Sequence, residues 1–229
     1  FETIQMPETS HTKFIAALLN IKGKDKNSPQ YVFMRNFLQK IQMENIDNLT
    51  DLMIQDMIVE TEYKTPFGII DIFIYSQKAN FVCVIENKIY AKICNNNGPQ
   101  LKRYYEYIKN TAPYKDCNKK FVFISVYLDK LNRQTKNLLK EFDYVSIEHS
   151  DTALFINDEM LSKCKDDFQR ELFKQYREFW EFNYYDSIDN VYLKDACYNL
   201  IKNCSKEEIQ NLPENIKKII FKFYSSENY

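Results

Sequence analysis

Apolar residues near the start of the chain recur at helical spacing. Thr9 or Ser10 can cap a helix carrying Phe14, Ile15, Leu18 and Leu19, and Pro29 precedes a second stretch through Val32, Phe33, Phe37, Leu38 and Ile41. The period then changes. Residues 57–63, 69–75 and 81–88 are short, β-branched or aromatic runs, separated by Thr65-Pro66-Phe67-Gly68 and by Ser76-Gln77-Lys78-Ala79-Asn80, which predicts a three-stranded meander. Asn95-Asn96-Asn97-Gly98-Pro99 is a helix-start signal, with Asn or Gly as cap and Pro at the first helical position, and the helix continues through Leu101, Tyr104, Tyr105 and Ile108. Residues 121–128 have the unbroken apolar character of a strand covered on both faces, and 144–147 read as another. The order is helix, three strands, helix, strand.

From about residue 166 the pattern is helical again. Phe168, Leu172, Phe173, Tyr176, Phe179 and Trp180 form one stripe, and Ile216, Ile219, Ile220 and Phe223 form another after Pro213; such stripes are expected in a core rather than at a ligand site. Hydrophobic residues make up 45% of the 229, and three Gly and six Pro leave no linker-like segment, so one core with an extension is expected. The expected division is a core over residues 1–165 and a helical extension packed on it over 166–229.

A formal net charge of −1 gives no long-range attraction to polyanions, so nucleic-acid binding requires a local basic surface. Between residues 86 and 120, Lys88, Lys92, Lys102, Arg103, Lys109, Lys115, Lys119 and Lys120 outnumber Glu86, Glu106 and Asp116; the ordinary alternative is a solvated helix face. Six cysteines without a C-x-x-C pair, one of them Cys83 in an apolar run, read as reduced core thiols. Neither a leader at the start, unless one was removed before Phe1, nor an apolar run long enough to cross a bilayer is visible, so a cytoplasmic location is expected.

The chemistry begins where the run Phe81-Val82-Cys83-Val84-Ile85 ends in Glu86-Asn87-Lys88. Strand side chains alternate, so Glu86 and Lys88 face one side. A carboxylate directly after five apolar residues is partly desolvated, which is costly unless a cation, a metal or strong donors compensate. One strand earlier, Asp71 is the sole charge in an apolar run; alone it reads equally as a buried Asp satisfied by backbone N–H groups. If the two strands form an antiparallel hairpin, Asp71 and Glu86 converge, and a divalent cation between them relieves their repulsion. Gln100 and Tyr104 lie one helical turn apart, with Gln100 in the first turn, where free N–H groups suit phosphate.

Together these residues spell Gly-x-x-Asp, then Glu-x-Lys closing the next strand, then Gln-x-x-x-Tyr on the following helix. This resembles the PD-(D/E)XK nuclease superfamily, especially its RecB-like and lambda-exonuclease-like branches, over roughly residues 62–104, with Ile70 in place of the family's Pro. The resemblance implies an α/β, restriction-endonuclease-like core: α-β-β-β-α-β, with a central mixed sheet flanked by helices and here a C-terminal helical extension. It implies that Asp71 and Glu86, with the Asn87 main-chain carbonyl, bind Mg²⁺ or Mn²⁺, and that Lys88 positions or deprotonates the attacking water of phosphodiester hydrolysis in DNA. A lysine partly desolvated beside a metal is expected to have a lowered pKa. Gln100 and Tyr104 would orient the lysine or the scissile phosphate, and Lys92, Lys102 and Arg103 would bind the substrate backbone. Glu62 and Glu8 stand where relatives carry further acids; strand-surface and helix-start roles explain them about as well.

His11 and His149 are too few for a multi-histidine zinc centre, and a packing role suits His11 better than a place at the cleft. Isolated Gly23, Gly68 and Gly98 exclude a P-loop or dinucleotide fingerprint, so no nucleotide cofactor is expected. Tyr104, Tyr105 and Tyr107 beside Lys102 and Arg103 offer a stacking surface, although tyrosines on such a helix usually pack. Two alternatives remain: a non-catalytic nucleic-acid or protein-binding module on this fold, and a nuclease acting on RNA. Exo- or endonucleolytic cutting, a homodimer that cuts both strands, and a role in repair, restriction or phage defence are left open.

Overall fold

A computed structural model describes residues 8–43, 49–89 and 99–188, with side chains to Trp180. Lys92, the cap candidates Asn95 to Gly98, and the stripe from Ile216 to Phe223 lie outside the described residues. The chain divides into two compact units, Phe1–Trp180 and Glu181–Tyr229.

Helices α1 (Glu8–Leu19) and α2 (Pro29–Lys40) are the two expected from the apolar spacing. The Ser28 hydroxyl accepts from the Tyr31 N–H with Pro29 at the first helical position, a start that needs no donor from proline. In α1 the helix begins one residue before Thr9, so neither Thr9 nor Ser10 is its cap; the polar first turn carries no apolar residue to mark it. After the short α3 (Asp51–Gln55) come β1 (Ile58–Thr65), β2 (Gly68–Ser76) and β3 (Phe81–Lys88), then α4 (Gln100–Asn110), β4 (Asn118–Ser125), α5 (Arg133–Glu141) and β5 (Tyr144–Glu148). Three further helices follow: α6 (His149–Leu154), α7 (Asp158–Ser162) and α8 (Asp167–Ile188). Pro99 itself is the cap of α4 rather than its first helical residue, and among the described residues no side chain caps this helix.

The strands form one mixed sheet in the order β1-β2-β3-β4-β5. The meander β1, β2, β3 is antiparallel, whereas β3–β4 and β4–β5 are parallel, with α4 and α5 as the crossovers that parallel pairing demands. This is an α/β fold of the restriction-endonuclease-like kind.

Two apolar layers enclose the sheet. On one face Ile15, Leu18, Phe33 and Phe37 of α1 and α2 pack with Ile72, Ile74, Cys83, Ile85, Val122 and Ile124. On the other, Leu101, Tyr104 and Ile108 of α4 and Leu139 of α5 pack with Phe73, Val82, Val84, Phe121 and Phe123. Strands β3 and β4 are covered on both sides, which is why their sequences read as unbroken apolar runs.

The expected stripe of α8 is split. Phe173, Tyr176 and Trp180 are buried in the first layer, but Phe168, Leu172 and Phe179 are 80%, 42% and 36% exposed. At helical spacing the two sets occupy adjacent arcs, and only one arc meets the core. Cys83, Cys117 and Cys164 are buried free thiols. Among the described residues no helix is long and apolar enough to cross a membrane.

Candidate active site

The site forms where the antiparallel and parallel halves of the sheet meet, at the C-terminal end of β3. The β2–β3 ladder ends at the pair Ile72–Ile85, so the next residue on each strand is a carboxylate, Asp71 and Glu86. At this point β2 changes face. Ile72 packs in the α1 layer and Ile70 in the α4 layer, although residues two apart in a regular strand share a face. Asp71 sits at the crossover. Across from it on β1, between the pairs Thr61–Ile72 and Tyr63–Ile70, Glu62 has φ +53°. The irregular backbone lets Asp71 leave the alternation of its strand.

Lys88 stands among three carboxylates. Its Nζ lies 2.6 Å from Glu86 Oε1, 3.3 Å from Glu8 Oε1 and 3.7 Å from Asp71 Oδ2. Glu8 reaches the cluster from α1 and also accepts the Ile89 N–H at 2.9 Å, so it holds the chain that leaves β3. Asn87 points to the opposite side of the strand and is fully buried. Its backbone N–H donates to Asp71 Oδ2 at 2.8 Å, and its side-chain amide donates to the Thr12 hydroxyl at 2.9 Å. The Thr12 hydroxyl in turn donates to the Glu8 carbonyl at 3.0 Å. Sequence reasoning passed over Thr12. The available signal was its place four residues after Glu8, one helical turn away on the same face.

Tyr104 is buried, and its hydroxyl donates to the main-chain carbonyl of Ile69, two residues before Asp71, while accepting from Gln100 Nε2 at 3.0 Å. In this arrangement the pair braces the strand that carries Asp71. Gly68, at φ +141°, lies against the same tyrosine; a Cβ there would meet the hydroxyl at 3.1 Å. Glu62 is exposed on β1, Lys102 is exposed on α4, and Arg103 is half-buried. Tyr105 packs against Phe121 and Phe142, Lys109 donates to the Tyr105 hydroxyl, and Lys119 donates to two main-chain carbonyls. His11 lies in an aromatic cluster with His149, Tyr176, Phe179 and Trp180, so packing is its role.

Burial pushes Glu86 up to about 8, and the neighbouring Asp71 charge pushes the same way, against the pull of Lys88. Burial also raises Asp71, although Lys88 and the Asn87 N–H favour its ionised form. For Lys88, burial acts downward as anticipated from sequence, but Glu86, Asp71 and Glu8 together outweigh it and hold the lysine above its ordinary range. Glu8, named from the sequence only as a further acid, is the third of these carboxylates.

The donor set suits a hard divalent cation, being oxygen only, with no thiol or imidazole in it. Both Glu86 oxygens are buried, and apart from the close ion pair with Lys88 neither accepts a directed hydrogen bond. A second cation would offset that cost. Among the described residues no group of three or more His, Cys, Asp or Glu closes around one point to hold a metal. Asp71, Glu86 and Glu8 are the carboxylates gathered around Lys88.

A mixed sheet flanked by helices, with Asp and Glu-x-Lys converging where its antiparallel and parallel halves join, defines a protein of the restriction-endonuclease-like class. A family model described as the PD-(D/E)XK nuclease superfamily matches residues 1–225, and the chain belongs to that superfamily. No curated protein and no solved structure matches it.

Proposed function

We propose that the protein is a metal-dependent nuclease that hydrolyses phosphodiester bonds in DNA, of the RecB-like or lambda-exonuclease-like kind. The observation that carries this reading is Lys88 beside a buried Glu86 with unsatisfied oxygens, at the point where Asp71 also converges. Asp71, Glu86 and the Asn87 main-chain carbonyl would hold Mg²⁺ or Mn²⁺. When bound, such a cation makes water a better nucleophile and offsets charge on the phosphoryl oxygens.

The protein's own groups do the rest. Lys88, set among these carboxylates, supplies a fixed cation for charge that develops on the phosphate, and it orients the attacking water by donating to it. Glu8, accepting the Ile89 N–H, and Asp71, accepting the Asn87 N–H, fix the backbone on either side of Lys88. Tyr104 and Gln100 hold Asp71 in place through Ile69. Lys92, Lys102 and Arg103 contribute positive charge toward the substrate backbone.

The deciding experiment incubates purified protein and Lys88→Ala with linear, supercoiled and single-stranded DNA and with RNA, in Mg²⁺, Mn²⁺ or chelator. Metal-dependent DNA cleavage that the variant lacks is the expected result. Cleavage by Lys88→Ala at the wild-type rate, or none by the wild type on any substrate, overturns the proposal.

A further inference from the structure

Along β3 the side chains that face α1 are apolar, Phe81, Cys83 and Ile85, until the alternation reaches Asn87. A buried amide at that place costs desolvation that an apolar side chain would not. Only part of the cost is offset. Asn87 is fully buried, its Nδ2 donates to Thr12 Oγ1 at 2.9 Å, and its Oδ1 has no hydrogen-bond partner among the described residues.

The partner on α1 is prepared for this bond. The one proton of the Thr12 hydroxyl goes to the Glu8 carbonyl at 3.0 Å, so Oγ1 meets β3 as an acceptor and Asn87 presents its NH₂. One helical turn before Thr12, the Glu8 carboxylate accepts the Ile89 N–H at 2.9 Å and lies 3.3 Å from Lys88 Nζ. Helix and strand end are therefore joined on both sides of Lys88, at Asn87 and at Ile89.

A hydrogen bond with an orphan acceptor beside it is no more stabilising than a well-packed apolar pair of the same shape. What it adds is direction, because a hydrogen bond weakens steeply once its geometry is lost. A misplacement of about 1 Å at a catalytic group costs about a hundredfold in rate. We propose that Thr12 and the Asn87 side chain are positioning residues that seat α1 on the end of β3 in the register where Glu8 meets Lys88 and the Ile89 N–H. Thr12 acts on Lys88 through Asn87 and Glu8. The consequence for catalysis rests on the nuclease reading above, whereas the seating does not.

The test compares wild type with Thr12→Val, Thr12→Ser and the double variant Thr12→Val/Asn87→Leu, which replaces both partners by apolar groups of similar shape. Melting temperature, native-state exchange of the Ile89 N–H in chelator, and cleavage of linear DNA with Mg²⁺ are measured. Thr12→Val strands the Asn87 amide and is expected to melt about 5 °C lower. The double variant is expected to melt at or above the wild type, yet to exchange Ile89 about tenfold faster and to cleave about tenfold more slowly at unchanged KM. Thr12→Ser, which keeps the hydroxyl, should match the wild type in exchange and rate. A stable double variant with wild-type exchange overturns the proposal, and so does faster exchange with an undiminished cleavage rate. A double variant less stable than Thr12→Val makes the pair a contributor to stability alone and also overturns it. Faster exchange at Ile89, when the wild type cleaves nothing, supports the seating and removes the nuclease reading.

Discussion

Lys88 Nζ stands 2.6 Å from Glu86 Oε1, and this pair is the most desolvated charge pair of the site. Removing one partner of a buried pair leaves the other uncompensated, whereas neutralising the carboxylate isosterically removes the burden. Glu86→Gln is therefore expected to melt at or above the wild-type temperature, and Lys88→Ala below it, by about 3–5 kcal/mol in stability. Both should cleave at least about a hundredfold more slowly. Thermal melts beside initial rates check this, and a Glu86→Gln protein less stable than Lys88→Ala would contradict it.

Glu62 holds a left-handed backbone conformation opposite Asp71. A Cβ is disfavoured there and glycine is not, so Glu62→Gly should gain about 1 kcal/mol in chemical denaturation while Glu62→Ala gains nothing. Calorimetric titration of Mn²⁺ into the same variant reads the side chain separately. Weaker binding in a more stable protein assigns the carboxylate to the metal; unchanged binding assigns Glu62 to the backbone crossover.

Asp71, Glu86 and Lys88 were legible because the information is short-range: alternation puts Glu86 and Lys88 on one side, and a four-residue turn between β2 and β3 sets the register that brings Asp71 beside them. The order of α1, α2, the five strands and α4 was legible for the same reason, whereas the short helices α3, α5, α6 and α7 carry too few apolar repeats to show. The link from Thr12 to Asn87 was not, because it joins residues 75 positions apart and depends on how α1 seats on the sheet. Nor was the change of face at Asp71, since a run such as Gly68-Ile69-Ile70-Asp71-Ile72 gives no sign of a broken alternation. In α8 the apolar positions from Phe168 to Trp180 fitted one helical stripe, and packing then used only the arc of Phe173, Tyr176 and Trp180.

Gly68 and Tyr104 form a tight contact that fixes the strand entering the site. Gly68→Ala meets both a positive φ and a hydroxyl at 3.1 Å, so a loss of about 1–3 kcal/mol is expected. Tyr104→Phe removes the donor to the Ile69 carbonyl and should cost about 1–2 kcal/mol. If the tyrosine acts by bracing Asp71, both variants lower the cleavage rate although neither changes a charged group. A Tyr104→Phe protein with wild-type stability and reduced cleavage would instead place the hydroxyl on the substrate.

His149 is buried against Trp180, with ring centroids 4.1 Å apart and planes 17° from parallel, and neither ring nitrogen has a hydrogen-bond partner. Burial first, and then the nearby His11, hold its pKa down to about 3 against an ordinary 6.5. Its aromatic partner Trp180 carries no charge to offset this, and its other ring neighbour, His11, is itself lowered by burial. Between these two pH values the unfolded chain binds a proton that the folded chain refuses. The stability His149 contributes is thus complete above pH 6.5 and is lost as pH falls toward 3, by at most about 1.4 kcal/mol per pH unit. His149→Phe keeps a ring on Trp180 and removes the titration. Urea denaturation of both proteins at about pH 7.5 and about pH 5 should show the wild type losing more stability on acidification than the variant. Equal losses would mean that the imidazole is protonated within the fold, with a partner for its charge.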